Sequence, residues 1–258
     1  MVAKTNFNPN LMLLVVMALA SALIGSLIVN YRNYQISKQY EMFFSANLLD
    51  PFNLSSYPSS SQVATASNER LVVFFGDSRA LEWPAPASTA EWHFINRGIN
   101  AQTSVQAAGR YEHHIAALQP DVIVVQVGVN DLRLIPLFPE KRDQIIANAK
   151  RYIDDIVAQA LANDSKVVLS TIFPVGKPSL EQKLTGESVE VITAVREVNQ
   201  YIRSVATDQV KVLEADRILG DATGSIVRVE YHEDFLHINK RGYDALNQEL
   251  VRILSTMN

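Results

Sequence analysis

Apolar positions follow two different rules along this chain. From Leu11 to Val29 they form a 19-residue run broken only by Ser21, Gly25 and Ser26, and no Asp, Glu, Lys or Arg occurs from Thr5 to Tyr31. At about 1.5 Å per residue such a run nearly covers the ~30 Å hydrocarbon core of a bilayer, which predicts one transmembrane helix within residues 1–30. Tyr31 to Leu49 stays helix-compatible, with Ile36, Tyr40, Phe43 and Phe44 spaced as an amphipathic stem. Pro51 to Ser67 collects Ser, Pro and Asn and reads as a linker. Residues 31–68 are therefore expected to be stem and linker, and 69–258 a folded domain.

Within that domain strand and helix patterns alternate. Leu71–Phe75, Val122–Val127, Lys166–Ile172 and Val210–Leu213 are short apolar or β-branched runs, and Trp92–Asn96 is a further strand candidate. Between them lie helical stripes: Ile145, Ala149, Tyr152, Ile156 and Ala160, then Val191, Val195, Val198, Ile202 and Val205. After Asn239, a good N-cap, Tyr243, Leu246, Leu250 and Leu254 share one face. Strands alternating with helices of this length predict an α/β fold with a parallel sheet covered on both sides.

Composition removes several function classes. The net charge of −4 leaves no basic footprint, so no nucleic-acid partner is expected. With no Cys there is no disulfide framework, thiolate zinc site, iron–sulfur cluster or cysteine nucleophile. Ala18-Leu19-Ala20 resembles a signal-peptide cleavage site, but hydrophobicity continues through Leu23, Ile24, Leu27, Ile28 and Val29, which favours an uncleaved anchor. Lys4 on one side and Arg32 and Lys38 on the other do not decide its orientation.

Ligands of parallel α/β sheets sit beyond the carboxyl ends of the strands. The first such turn, Gly76-Asp77-Ser78-Arg79, lacks both the Gly-x-Gly-x-x-Gly spacing and the P-loop Gly-Lys-Ser/Thr, so it cradles no phosphate. It does place a serine hydroxyl at the mouth of the sheet. Arg97-Gly98-Ile99-Asn100 follows the second strand, Gly128-Val129-Asn130-Asp131 the third, and Asp234-Phe235-Leu236-His237 precedes the last helix. Taken singly, these are turns, caps or surface residues; together and in this order they point to a site. Asp77 is expected to brace its turn. Asp131 either orients Asn130 or caps a turn. His113-His114 reads as a solvated helix face rather than a metal pair, and His232 is an alternative base to His237. Leu132–Phe138 and Phe173-Pro174-Val175-Gly176 each read equally as pocket lining or core packing.

The four segments resemble the blocks of the SGNH hydrolase superfamily, the GDSL-type esterases and lipases. The resemblance implies a three-layer α/β/α sandwich with a mostly parallel, flavodoxin-like sheet, preceded here by one transmembrane helix. It implies Ser78 as nucleophile, His237 as base and Asp234 as its partner, with the Ser78 and Gly98 N–H groups and the Asn130 side-chain amide as the oxyanion hole, and neither metal nor organic cofactor. Arg79 stands where the family motif has Leu. A serine hydroxyl needs such a base within hydrogen-bond reach, and the spacing of Asp234 and His237 lets both face one side of a turn. The implied activity is hydrolysis of carboxylic esters: lysophospholipids, acyl esters or O-acetyl sugars. A tethered O-acyltransferase and a non-catalytic binding domain are the alternatives. Family analogy also implies an extracytoplasmic catalytic domain.

Overall fold

The structure, a computed structural model, describes residues 8–58, 69–86, 91–178 and 187–257. It divides into two units, Met1–Pro51 and Phe52–Asn258. In the first, the Asn8 side chain accepts from the Asn10 N–H and Pro9 presets the opening turn of helix α1 (Pro9–Leu49). The apolar span and the expected stem are thus one continuous helix of 41 residues, none of them buried. By length and composition it can cross a membrane.

The second unit carries a sheet of five parallel strands, β1 (Arg70–Gly76), β2 (Trp92–Gly98), β3 (Val122–Gln126), β4 (Lys166–Ser170) and β5 (Val210–Leu213), in the order β2-β1-β3-β4-β5. The helices are α2 (Ser78–Leu81), α3 (Ser104–His114), α4 (Val129–Leu132), α5 (Arg142–Ala162), α6 (Glu187–Ser204), α7 (Ala215–Leu219) and α8 (Lys240–Leu254). This order winds outward in both directions from β1 and β3, and the crevice at their carboxyl ends is where such sheets bind ligands.

Alternation along the strands makes the layers. Leu71, Val73 and Phe75 of β1 pack with Ile123, Val125, Val167 and Leu169 against α3, α5 and α6, whereas Val72, Phe74, Val124 and Val168 pack against α7 and α8. Both faces are covered, so the strands read as unbroken apolar runs. The buried stripe of α5 is Ile146, Ala149, Ile153, Ile156 and Ala160; Ile145 and Tyr152, expected inside, are only half-buried. Adjacent apolar residues at 145–146 and 152–153 let the helix settle about one position round from the sequence reading.

The second unit also takes in residues 52–58. Phe52 lies against Gly109 of α3 so closely that a Cβ at Gly109 would come within 2.4 Å of its ring. Tyr57 meets the His114 ring edge-on, with centroids 5.4 Å apart.

Candidate functional site

The turn that carries Ser78 is built by close backbone approach. A side chain at Gly76 would place its Cβ 1.7 Å from the Gln126 carbonyl oxygen on β3, so only glycine lets β1 end there. Asp77 then caps α2, accepting from the Arg79 N–H at 2.9 Å, and Ser78 begins the helix. Asp77 is fully buried, and burial pushes its carboxyl up to about 6 while Arg79 pulls the other way. Bracing, as expected, is what its geometry shows.

The second part of the site folds on itself. Asp234 Oδ1 accepts from the Leu236 N–H (2.7 Å) and the His237 N–H (2.8 Å), and its Oδ2 lies 2.8 Å from His237 Nδ1. A carboxylate can only accept, so Nδ1 carries the hydrogen and Nε2 faces Ser78 Oγ at 3.0 Å as the acceptor. Burial opposes ionisation of Asp234, but the hydrogen bonds from the His237 ring and the two N–H groups outweigh it and hold the carboxyl at about 2. Asn239 locks the loop into α8, accepting from the Arg241 and Gly242 N–H groups and donating to the Glu230 and His232 carbonyls. His232 does not meet Ser78: its Nε2 lies beside Gly176.

Two residues stand beside this relay: Glu82, absent from the sequence reading, and Arg79, noted there only as a departure from the family motif. Glu82, four residues beyond Ser78, brings Oε1 within 3.9 Å of His237 Nε2. Arg79 is fully buried and donates from Nε to the Leu236 carbonyl (2.8 Å) and from Nη1 to the Phe173 carbonyl (3.0 Å). Its own carbonyl accepts from the Tyr243 hydroxyl at 3.1 Å. The residue after Ser78 thus holds the residue before His237. An arginine directly after Gly76-Asp77-Ser78, where the family motif has Leu, was the available signal. Its partners lie 94 and 157 residues away, so spacing could not reveal them.

The third part departs from expectation. The Gly98 N–H, expected to face an oxyanion, donates to Asn96 Oδ1 at 2.8 Å. Glycine is needed there for packing, because a Cβ would come within 2.2 Å of the Leu81 N atom on α2. Beyond it, Ala101 adopts φ +59°, a left-handed conformation unusual for alanine. Neither the Ala101 N–H nor the Ser78 N–H has an acceptor among the described residues. The Asn130 amide, on α4, donates to the Gln102 carbonyl at 2.9 Å. Asp131 acts as a cap and does not orient Asn130: it accepts from the Ser104 hydroxyl (2.6 Å) and N–H (2.8 Å), tying α4 to the start of α3.

Of the remaining candidates, His114 and the Phe173–Gly176 segment resolve as packing and the Leu132–Phe138 segment only in part. His114, expected on a solvated face, is buried; its Nε2 donates to the Leu54 carbonyl (3.0 Å) and Nδ1 faces Arg110 (3.3 Å). A covering segment that the sequence reading assigned to linker accounts for the difference. Among the described residues no group of three His, Cys, Asp or Glu is placed to hold a metal. Leu132 and Ile135 are buried whereas Leu134, Leu137 and Phe138 are exposed, and Phe173 to Gly176 is buried throughout.

A doubly wound parallel sheet with a serine, a histidine and a carboxylate in one hydrogen-bonded line at its switch point has the architecture of a serine hydrolase. The chain belongs to the GDSL-like Lipase/Acylhydrolase family, whose model matches residues 65–245, and it is a serine hydrolase acting on ester bonds. Among solved structures it is similar to a GDSL-like lipase from Bacteroides thetaiotaomicron VPI-5482, at 18% identity and a TM-score of 0.61, covering 80% of this chain and 99% of that one. The acetyl xylan esterase AlAXEase is similar at 19% identity and a TM-score of 0.55, covering 71% and 99%. A catalytic mutant of an acetylxylan esterase from Geobacillus stearothermophilus is similar at 13% identity and a TM-score of 0.50, covering 76% and 97%. No curated protein matches the chain.

Proposed function

We propose that Ser78, His237 and Asp234 are the catalytic relay that hydrolyses a carboxylic ester through an acyl-enzyme on Ser78. The 3.0 Å approach of Ser78 Oγ to His237 Nε2 carries this reading. As Oγ bonds to the substrate carbonyl carbon, its proton passes to Nε2, and Asp234 stabilises the resulting imidazolium. Collapse of the tetrahedral intermediate breaks the ester C–O bond, and the departing alcohol takes the proton from Nε2. Water then attacks the acyl carbon, giving a proton to Nε2; the C–Oγ bond breaks, Ser78 Oγ takes that proton back from Nε2, and the carboxylic acid leaves. The N–H groups of Ser78 and Ala101 and the Asn130 amide are the donors for the oxyanion, with Ala101 in the role the sequence assigned to Gly98.

The substrates within this reading are lysophospholipids, short acyl esters and O-acetyl groups on sugars. Exposed Leu134, Leu137 and Phe138, just beyond α4, favour an apolar acyl group, and the acetylxylan esterases among the structural neighbours favour acetyl. Helix α1 acts as an uncleaved anchor with the hydrolase on the extracytoplasmic side; release of a shortened form by a high-salt membrane wash would contradict the anchor. The chemistry is tested by comparing wild type and Ser78→Ala on a panel of p-nitrophenyl acetate, lysophosphatidylcholine and acetylated xylan. At least one ester is turned over, and its rate falls by about 10³ or more in the variant. Equal rates in the two proteins contradict the proposal.

A further inference from the structure

The loop from Gly98 to Gln102 is held at both ends by the segment that directly follows helix α1. At one end the Tyr57 hydroxyl donates to the Gly98 carbonyl at 2.6 Å. At the other, Gln102 Nε2 donates to the Phe52 carbonyl (3.2 Å) and to Asn53 Oδ1 (3.1 Å). Gln102 is buried and is a hub: its Oε1 accepts from Arg110 Nε, and its backbone carbonyl accepts from the Asn130 amide. Arg110 in turn donates from Nη2 to the Gly76 carbonyl at 2.9 Å, at the end of β1. Between these two fixed points lies Ala101 at φ +59°. A non-glycine residue in that region is strained and persists only where its surroundings over-determine it.

The segment itself is anchored by more than these bonds. The Arg97 guanidinium sits over the Tyr57 ring, 4.7 Å from its centroid, the His114 ring holds the Leu54 carbonyl, and Phe52 fills the space above Gly109. It is a packed strap, and its two ends grip the loop that carries Ala101 and orients Asn130.

We infer that Phe52–Tyr57 is a positioning element for ester hydrolysis, holding Ala101 and Gln102 so that the Ala101 N–H and the Asn130 amide converge on the developing oxyanion. The inference rests on the ester-hydrolase reading. It adds that residues outside the reacting groups, close behind the membrane helix in the chain, set the rate of the chemical step rather than substrate affinity. Tyr57→Phe isolates the effect, because it keeps the ring on Arg97 and His114 and removes only the hydroxyl on Gly98.

The experiment uses the full chain in detergent micelles with p-nitrophenyl acetate, together with thermal melting and fluorophosphonate labelling. Tyr57→Phe is expected to lower kcat about tenfold, leave KM within twofold, and slow fluorophosphonate labelling in parallel, with a melting profile close to wild type. Adding Ala101→Gly is expected to recover most of that loss, because glycine adopts the left-handed conformation without being held there. A kcat for folded Tyr57→Phe within twofold of wild type overturns the inference, as does a loss that Ala101→Gly leaves untouched. Failure of the underlying reading looks different: wild type and Ser78→Ala would then be equally active.

Discussion

The two sides of Ser78, the proposed nucleophile, are built in opposite ways. On the base side, Asp234 and His237 sit three residues apart in one loop that satisfies its own N–H groups and hands over to α8 through Asn239. On the other side, the loop from Gly98 to Gln102 takes its shape from elsewhere: Tyr57 and Phe52 before the sheet, Arg110 on α3 and Asn130 after β3. The proposed base is therefore a local motif, whereas the proposed oxyanion side is a tertiary assembly. A local motif fails when its own residues change. A tertiary assembly can fail through residues that never touch the substrate.

The largest expected effect breaks the base side. His237→Ala should lower kcat for p-nitrophenyl ester hydrolysis by about 10³ to 10⁴, while His232→Ala stays within about threefold of wild type, since His232 faces Gly176 instead of Ser78. The reverse pattern in steady-state rates would assign the base to His232. Next in size is Asn130→Ala, expected to cost about 10² to 10³ in kcat with little change in KM, because in the proposed role the amide acts on charge that develops only in the transition state. A change confined to KM would move Asn130 from the oxyanion to ground-state binding.

The smallest effect probes the scaffold between the two sides. Burial raises the Asp131 carboxyl to about 6, although the Ser104 hydroxyl and N–H pull it down. Its folded value lies above its unfolded one, so the folded state binds the proton more tightly. The stability this gives is full below about pH 4 and is lost as pH rises through about 6. Asp131→Asn should flatten the fall in unfolding free energy between pH 4 and pH 7 by about 2 kcal/mol. Asp77, also raised to about 6 by burial, keeps its own share of the slope. Denaturant unfolding at the two pH values measures this directly, and an unchanged slope would show that Asp131 is ionised at both.

The same contrast explains what could be read from the chain. The parallel sheet was legible because its strands are covered on both faces and appear as continuous apolar runs, such as Val122 to Val127. The Asp234–His237 contact was legible because Asp-x-x-His closes within one turn. The loop proposed to face the oxyanion was not: glycine at 98 reports close packing against Leu81, and alanine at 101 gives no sign of a left-handed backbone. The strap was hidden by composition, since Phe52, Leu54 and Tyr57 lie in a stretch whose Ser, Pro and Asn content suggests a linker. Arg79 looked like a neutral departure from the family motif, because its carbonyl partners come from distant loops.

The most direct measurement is to label the folded full chain with a fluorophosphonate, digest it and map the adduct by mass spectrometry. A single adduct on Ser78 Oγ, lost in His237→Ala, is the predicted result. An adduct on another serine, or none on Ser78 in protein that hydrolyses esters, would contradict Ser78 as the nucleophile.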